Sequence, residues 1–227
     1  LYYGDKRDYY AVNMCARLAQ RGYVAASLNY RIRATRNGPN IKAAVAEDAK
    51  AAIRWMRKNA ARLKIDVDRI GLGGDSSAAE AAFYCGYSSE SGQSGNPGYR
   101  SDLQYLTLIW GGRYNRFDAG GPAIFAAHGY YDGIYGYWEA TRLQSHAHFF
   151  ETPFELFSFG GGHADWSHYP TFFQNAVNFN YETLDLEKLG GLVLEGRPAT
   201  GVLQFGLAGR GGLDFELVAS VRRAPQD

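Results

Sequence analysis

Two hydrophobic rhythms alternate along the chain and predict a sheet covered by helices on both faces. Between Tyr9 and Gln20, Val12, Cys15, Ala16, Leu18 and Ala19 recur at helical spacing, and Gly22 stops the run. Tyr23-Val-Ala-Ala-Ser-Leu28 is short and apolar without alternation, as a doubly buried strand reads. A polar loop, Arg31–Asn40, leads to a long helix from Ile41 to Lys64, with Ala44, Ala52, Ile53, Trp55 and Met56 inward. Arg69–Gly73 reads as a buried strand and Ser77–Tyr87 as a helix, while Ser88–Arg100, rich in Ser, Gly, Asn and Pro, reads as a loop. Leu103–Trp110, Ala123–His128 and Phe154–Phe159 follow as strands, with helices at Tyr137–Phe149 and Trp166–Tyr181. Strands separated by helices of this length imply parallel βαβ units, hence an α/β fold with a mostly parallel sheet.

Residues 190–227 break the pattern. Leu203, Phe205 and Leu207 alternate with polar or small residues, as do Leu213, Phe215, Leu217, Ala219 and Val221. Ala208-Gly-Arg-Gly-Gly212 between them signals a turn, so the expectation is an antiparallel hairpin appended to the body. The organisation read from the sequence is a main domain over residues 1–185 and a β-rich tail, or the start of an accessory domain, over 190–227.

Length and composition narrow the function classes. A chain of 227 residues fits one domain with a short appendage. Its 24 basic and 23 acidic residues nearly cancel, and no basic stripe makes nucleic acid a natural partner. Apolar runs such as Tyr23–Leu28 and Ala123–Ala127 are too short to span a bilayer. Cys15 and Cys85 fall in helical segments, where a free Cys acts as a small buried hydrophobe. The chain opens at Leu1 without Met or signal peptide and reads as a fragment, which leaves its compartment open.

The strongest chemical signal is Arg69-Ile-Gly-Leu-Gly-Gly-Asp-Ser-Ser-Ala78. A buried strand ends in Gly74-Asp-Ser-Ser-Ala78 and a helix begins at once, the setting of a G-x-S-x-G nucleophile elbow with Ala78 in the second glycine position. Ser76 occupies the strained turn, so its neighbours two residues away must be small. The elbow also leaves the Ser77 N–H free at a helix N-terminus, suited to bind an oxyanion. The competing reading is a plain strand–helix turn with an N-cap.

A serine hydroxyl needs a base. His146 and His148 lie on different faces of a helix, His168 lies within another, and His128 at a strand end reads as structural. His163 follows a strand and the flexible Gly160-Gly-Gly162, at the carboxyl edge where parallel sheets bind ligands. For the acid, Asp132 lies just past the strand that ends near Ala127; Asp118 precedes that strand, and Asp165 suits a local turn contact. Ser76, Asp132 and His163 then follow the chain order of α/β-hydrolases. His163-Ala-Asp165-Trp-Ser-His168 does not have a common zinc spacing, and Gly71-Leu-Gly-Gly74 is too short for a dinucleotide or phosphate loop. No metal or other cofactor is called for.

Leu18-Ala-Gln-Arg-Gly-Tyr-Val-Ala-Ala-Ser-Leu-Asn-Tyr-Arg31, Glu47-Asp48, Ile53-Arg-Trp55 and Asn59 through Ile70 resemble the stretch around the elbow in bacterial α/β-hydrolase esterases. The likeness is to the xylan-esterase, feruloyl-esterase and carboxylesterase-like branch related to kynurenine formamidase, and it runs from about Gly4 to Tyr181. His128-Gly-x-x-Asp132 and Gly160-Gly-Gly-His163 match that family's acid and base stations. The resemblance implies a serine esterase with a small-molecule or carbohydrate-linked ester substrate. It also implies first strands and a His-Gly-Gly-Gly-type oxyanion loop upstream of Gly4-Asp5-Lys6, so that these 227 residues alone are expected to be feeble or unstable. An amidase or arylformamidase would share the triad. A non-catalytic binding module would suit Ala78 and the missing loop, but not an intact Ser, Asp and His. Tyr130, Tyr131, Tyr135, Tyr137, Trp138 and Trp166 crowd the acid and base loops, either to stack on sugar or aryl groups or simply to pack those loops. Oligomeric state is not readable.

Overall fold

The apolar runs of the sequence become the centre of one sheet. The computed structural model describes residues 5–31, 42–89, 95–115, 117–184, 199–205 and 214–219. In chain order the elements are α1 (Tyr9–Ala19), β1 (Val24–Asn29), α2 (Lys42–Lys58), α3 (Ala60–Leu63), β2 (Ile65–Asp75), α4 (Ser77–Tyr87) and β3 (Tyr105–Ile109). Then come β4 (Ala123–Gly129), α5 (Trp138–Phe149), β5 (Phe154–Phe159), a 3₁₀ turn (Trp166–His168), α6 (Tyr169–Thr183), β6 (Ala199–Phe205) and β7 (Asp214–Ala219). The sheet runs β5-β4-β3-β2-β6-β1-β7. All its pairings are parallel except β1 with β7.

Side chains alternate across this sheet into two apolar layers. Val24, Ala26 and Leu28 of β1, Ile70 and Leu72 of β2, Leu106 and Leu108 of β3 and Ile124 of β4 meet α2, α4 and α5 on one face. Ala25, Tyr105, Ile109, Phe125 and Ala127 face the other way, against Met14, Cys15 and Leu18 of α1 and Phe172, Phe173 and Val177 of α6. Doubly covered strands need apolar residues at every position, hence their lack of alternation in the sequence. Cys15 and Cys85 are buried free thiols, each pushed up to about 12 by burial. Among the described residues no helix is long and apolar enough to cross a membrane.

Three expectations need correction. The C-terminal strands are not a hairpin: β6 lies parallel between β1 and β2, and β7 pairs antiparallel with β1, so neither pairs with the other. Period-two alternation identifies a strand but not its partner. The turn at 208–212, with Leu207, Leu213 and Val221, lies outside the described residues, as does most of the Arg31–Asn40 loop. The helix expected to run unbroken to Lys64 breaks at Asn59, whose side-chain amide and backbone N–H both donate to the Trp55 carbonyl, at 2.8 and 3.0 Å. The last helix starts at Tyr169, after the separate 3₁₀ turn in which Asp165 accepts the Ser167 N–H.

Helix α2 also fixes the loop that leads into β3. Lys50, Arg54 and Arg57 are buried, and they donate to loop carbonyls, Lys50 to Ser88, Arg54 to Gly95 and Arg57 to Arg100 and Asp102, while Arg57 also donates to Val67 of β2. Burial lowers the Arg57 guanidinium to about 10, which still leaves it charged at neutral pH.

Candidate active site

The site stands at the carboxyl edge of β2, β4 and β5. β2 ends at Asp75, and Ser76 makes the turn into α4 with φ 52° and ψ −124°, backbone that a non-glycine residue adopts only under constraint. The constraint is visible. The Ser76 N–H donates to the Ile109 carbonyl of β3 at 2.9 Å, and the Ser76 carbonyl accepts from Ala79 and Glu80 in the first turn of α4. A Cβ on Gly74 would sit 2.6 Å from the Ala78 backbone, so glycine is required there. Ala78 is fully buried against this approach and its methyl fits. Ser77 is the first residue of α4, and its N–H has no acceptor within the helix.

Two loops bring the remaining groups to Ser76, and main-chain bonds stitch them together. The Tyr130 N–H donates to the Phe159 carbonyl and the Tyr131 N–H to the Gly161 carbonyl, both at 2.9 Å. Gly129 lies so close to the Gly161 carbonyl that any side chain there would collide with it. Asp132 therefore sits beside the Gly-Gly-Gly loop that carries His163.

His163 Nδ1 is 2.8 Å from Asp132 Oδ2, and its Nε2 is 2.8 Å from Ser76 Oγ. An ionised carboxylate only accepts, so Nδ1 carries the proton and the bare Nε2 accepts from the serine hydroxyl. The Asp132 side chain is wholly buried, and its Oδ1 accepts the N–H groups of Ile134 and Tyr135 at 2.8 and 2.9 Å. The three residues selected from the sequence thus lie in one hydrogen-bonded line.

The residues set aside fall elsewhere. Asp165 makes its local turn contact, and His146 and His148 lie along α5. Among the described residues no group of His, Cys, Asp and Glu is placed to hold a metal ion. His128 is the one reading that the structure enlarges. It is buried as expected, but its Nε2 lies 3.4 Å from Asp132 Oδ2 and 2.8 Å from the Tyr135 carbonyl. Its place in His128-Gly-x-x-Asp132 was the available signal.

Three further features surround the line. Asp75, beside the nucleophile, is 9% exposed, and burial raises its carboxyl to about 6, against its own backbone hydrogen bond and the nearby His163. The Tyr135 ring is 5.8 Å from the His163 ring, and its hydroxyl donates to Glu80 of α4 at 3.2 Å. Trp110 and Trp166 close the other side, and Trp166 stacks on Tyr10 at 4.0 Å.

A parallel sheet whose second strand ends in a strained serine turn, with Asp132 and His163 on later loops of the same edge, is the arrangement of the α/β-hydrolase fold, and this chain has that fold. The family model described as BD-FAE matches residues 2–104. Esterase 2 of Thermogutta terrifontis phosphorylated by paraoxon has a similar structure, with TM-score 0.67 and 23% identity over 75% of this chain and 74% of that one. The butyrate-bound form of the Thermogutta terrifontis enzyme gives 0.60 at 20% identity, over 74% and 73%. A truncated carbohydrate esterase from gut microbiota gives 0.55 at 21% identity, over 62% and 68%. No curated protein matches the chain.

Proposed function

We propose that this chain hydrolyses carboxylic esters by acyl transfer through Ser76. The observation that carries the reading is the line of two 2.8 Å contacts from Ser76 Oγ through the His163 ring to Asp132. Ser76 Oγ attacks the ester carbonyl while His163 Nε2 takes its proton, and Asp132 steadies the imidazolium that results. The Ser77 N–H, at the positive end of α4, faces the oxygen that gains charge. His163 then returns the proton to the leaving alcohol, and the acyl group stays on Ser76. A water gives its proton to His163, attacks the acyl carbonyl and frees the acid, restoring the serine. The sequence of steps consumes one water and needs no cofactor.

The fold neighbours support ester chemistry as the first to test, since their descriptions name an esterase that is phosphorylated by paraoxon or binds butyrate, and a carbohydrate esterase. The rim adds a reason to include sugar-linked and aryl esters. Tyr130, Tyr131, Ile134 and Trp138 are 52–78% exposed around Asp132, a concentration of apolar surface that suits a ring stacked at the mouth. Ser76→Ala is expected to cut turnover of p-nitrophenyl acetate by about a thousandfold or more, and to abolish labelling by an organophosphate probe. A variant that kept wild-type turnover would overturn the assignment. Matched ester and formamide substrates, compared on the wild type, separate this reading from an arylformamidase.

A further inference from the structure

Asp132 Oδ2 faces two imidazoles. His163 Nδ1 approaches it at 2.8 Å from the Gly-Gly-Gly loop, and His128 Nε2 at 3.4 Å from the end of β4. The same His128 nitrogen lies 2.8 Å from the Tyr135 carbonyl. A carbonyl oxygen only accepts, so the hydrogen of His128 sits on Nε2 and is given to Tyr135 O, with Asp132 Oδ2 a longer electrostatic contact at 3.4 Å. His128 therefore does not compete with His163 for a proton on this side; it places a protonated nitrogen beside the carboxylate.

This bond closes a small ring. The Tyr135 N–H donates to Asp132 Oδ1, and the Tyr135 carbonyl accepts from His128, so one residue ties both ends of the acid loop to β4. Without His128 the Tyr135 carbonyl would be left buried without that donor, and the Tyr135 N–H that holds Asp132 Oδ1 would lose its tie to β4. His163, the partner of Oδ2, must change charge during turnover, so the orientation of this wholly buried carboxylate rests on the N–H groups of Ile134 and Tyr135.

We propose that His128 is a positioning residue of the catalytic line, holding Asp132 in one orientation through its Nε2–H bond to the Tyr135 carbonyl. The inference rests on the Ser76–His163–Asp132 reading of the site. Burial lowers the His128 imidazole below its ordinary value, against the Tyr135 carbonyl and Asp132, and so keeps it a neutral donor. The ionisable groups that face it are Asp132 of its own loop, His163 of the loop after β5 and Glu139 of α5, and the Tyr137 ring lies 6.1 Å away.

The test uses the whole chain and reads geometry as well as rate. In wild-type protein labelled with ¹⁵N-histidine, His128 is expected to be protonated on Nε2 and bare on Nδ1 at about pH 7.5. A proton on Nδ1 instead would overturn the proposal, whether or not the protein turns over esters. His128→Gln keeps an amide N–H near the Nε2 position, and is expected to retain kcat within a few-fold, the acidic limb of its pH–rate profile and the downfield proton resonance of His163 Nδ1–H. His128→Leu is expected to lose at least about tenfold in kcat with little change in KM, with the acidic limb displaced and that resonance shifted or lost. A folded His128→Leu with wild-type kcat, pH profile and resonance sinks the inference. Should His128→Leu fail to fold, the tautomer and His128→Gln still decide it. If wild type and Ser76→Ala are equally inactive and unlabelled, the ester-hydrolase reading fails, and the ¹⁵N spectra report on His128 independently.

Discussion

At the scale of single residues, the chemistry around Ser76 works against stability, and Asp75 is where that is measurable. Its carboxyl, ordinarily near 3.8, rises to about 6 because burial penalises the charged form. Between those values the unfolded chain has lost the proton that the folded chain keeps, so stability falls as pH rises through that window. Below about 3.8 the residue contributes no such loss. Two units correspond to about 3 kcal/mol at most. Asp75→Asn is therefore expected to be more stable than wild type at pH 7.5 by up to about 3 kcal/mol, and equal to it at pH 3.5, by urea unfolding at both values. An equal difference at both pH values would mean that the carboxyl does not titrate in this window. The turn at Ser76 was legible, because an elbow demands small residues at fixed offsets and Gly74 and Ala78 supply them. Asp75 was not, because what distinguishes it is burial, and His128 showed only in its place four residues before Asp132.

At the scale of elements, apolar content alone outlined β1, β3, β4 and β5 to within a few residues, whereas polar stretches hid their roles. β2 begins at Ile65 rather than Arg69, because Asp66–Arg69 is a partly exposed extension whose pairing with β6 breaks before Ile70. On α2 the charges Lys50, Arg54 and Arg57 look like a solvated face in sequence, yet all three are buried and bind carbonyls. A side chain with a long apolar stem and several donors can be core and clamp together. Arg57→Met keeps much of the stem and removes donors from three carbonyls, so a loss of about 2–4 kcal/mol in urea unfolding is expected. Proteolysis should also rise within residues 95–103. Arg100→Met, at a half-exposed guanidinium, is expected to cost less than about 1 kcal/mol. Similar costs for the two would show that the carbonyl clamp contributes nothing special.

At the scale of the whole molecule, the sheet is continuous only because β6, late in the chain, lies between β1 and β2. Sequence could not place it: Leu203 and Phe205 announce a strand, and an intervening glycine-rich stretch makes the nearest strand look like its partner. The observed register pairs Val202 with Ala25 on one side and Gly71 on the other. Gly71 belongs to β2, the strand that ends at the Ser76 turn, so β6 is coupled to the site through backbone. Val202→Pro removes an N–H from a strand bonded on both edges and inserts a ring there, which should cost about 3 kcal/mol or more. In an appended hairpin the same change would leave the body's unfolding transition untouched. The expected result is a single transition shifted to lower urea. Amide exchange offers an independent check: residues 201–204 should be protected as strongly as 71–74, since a central strand opens only when the sheet does. Fast exchange at 201–204 with slow exchange at 71–74 would show that β6 is not held in the centre of the sheet.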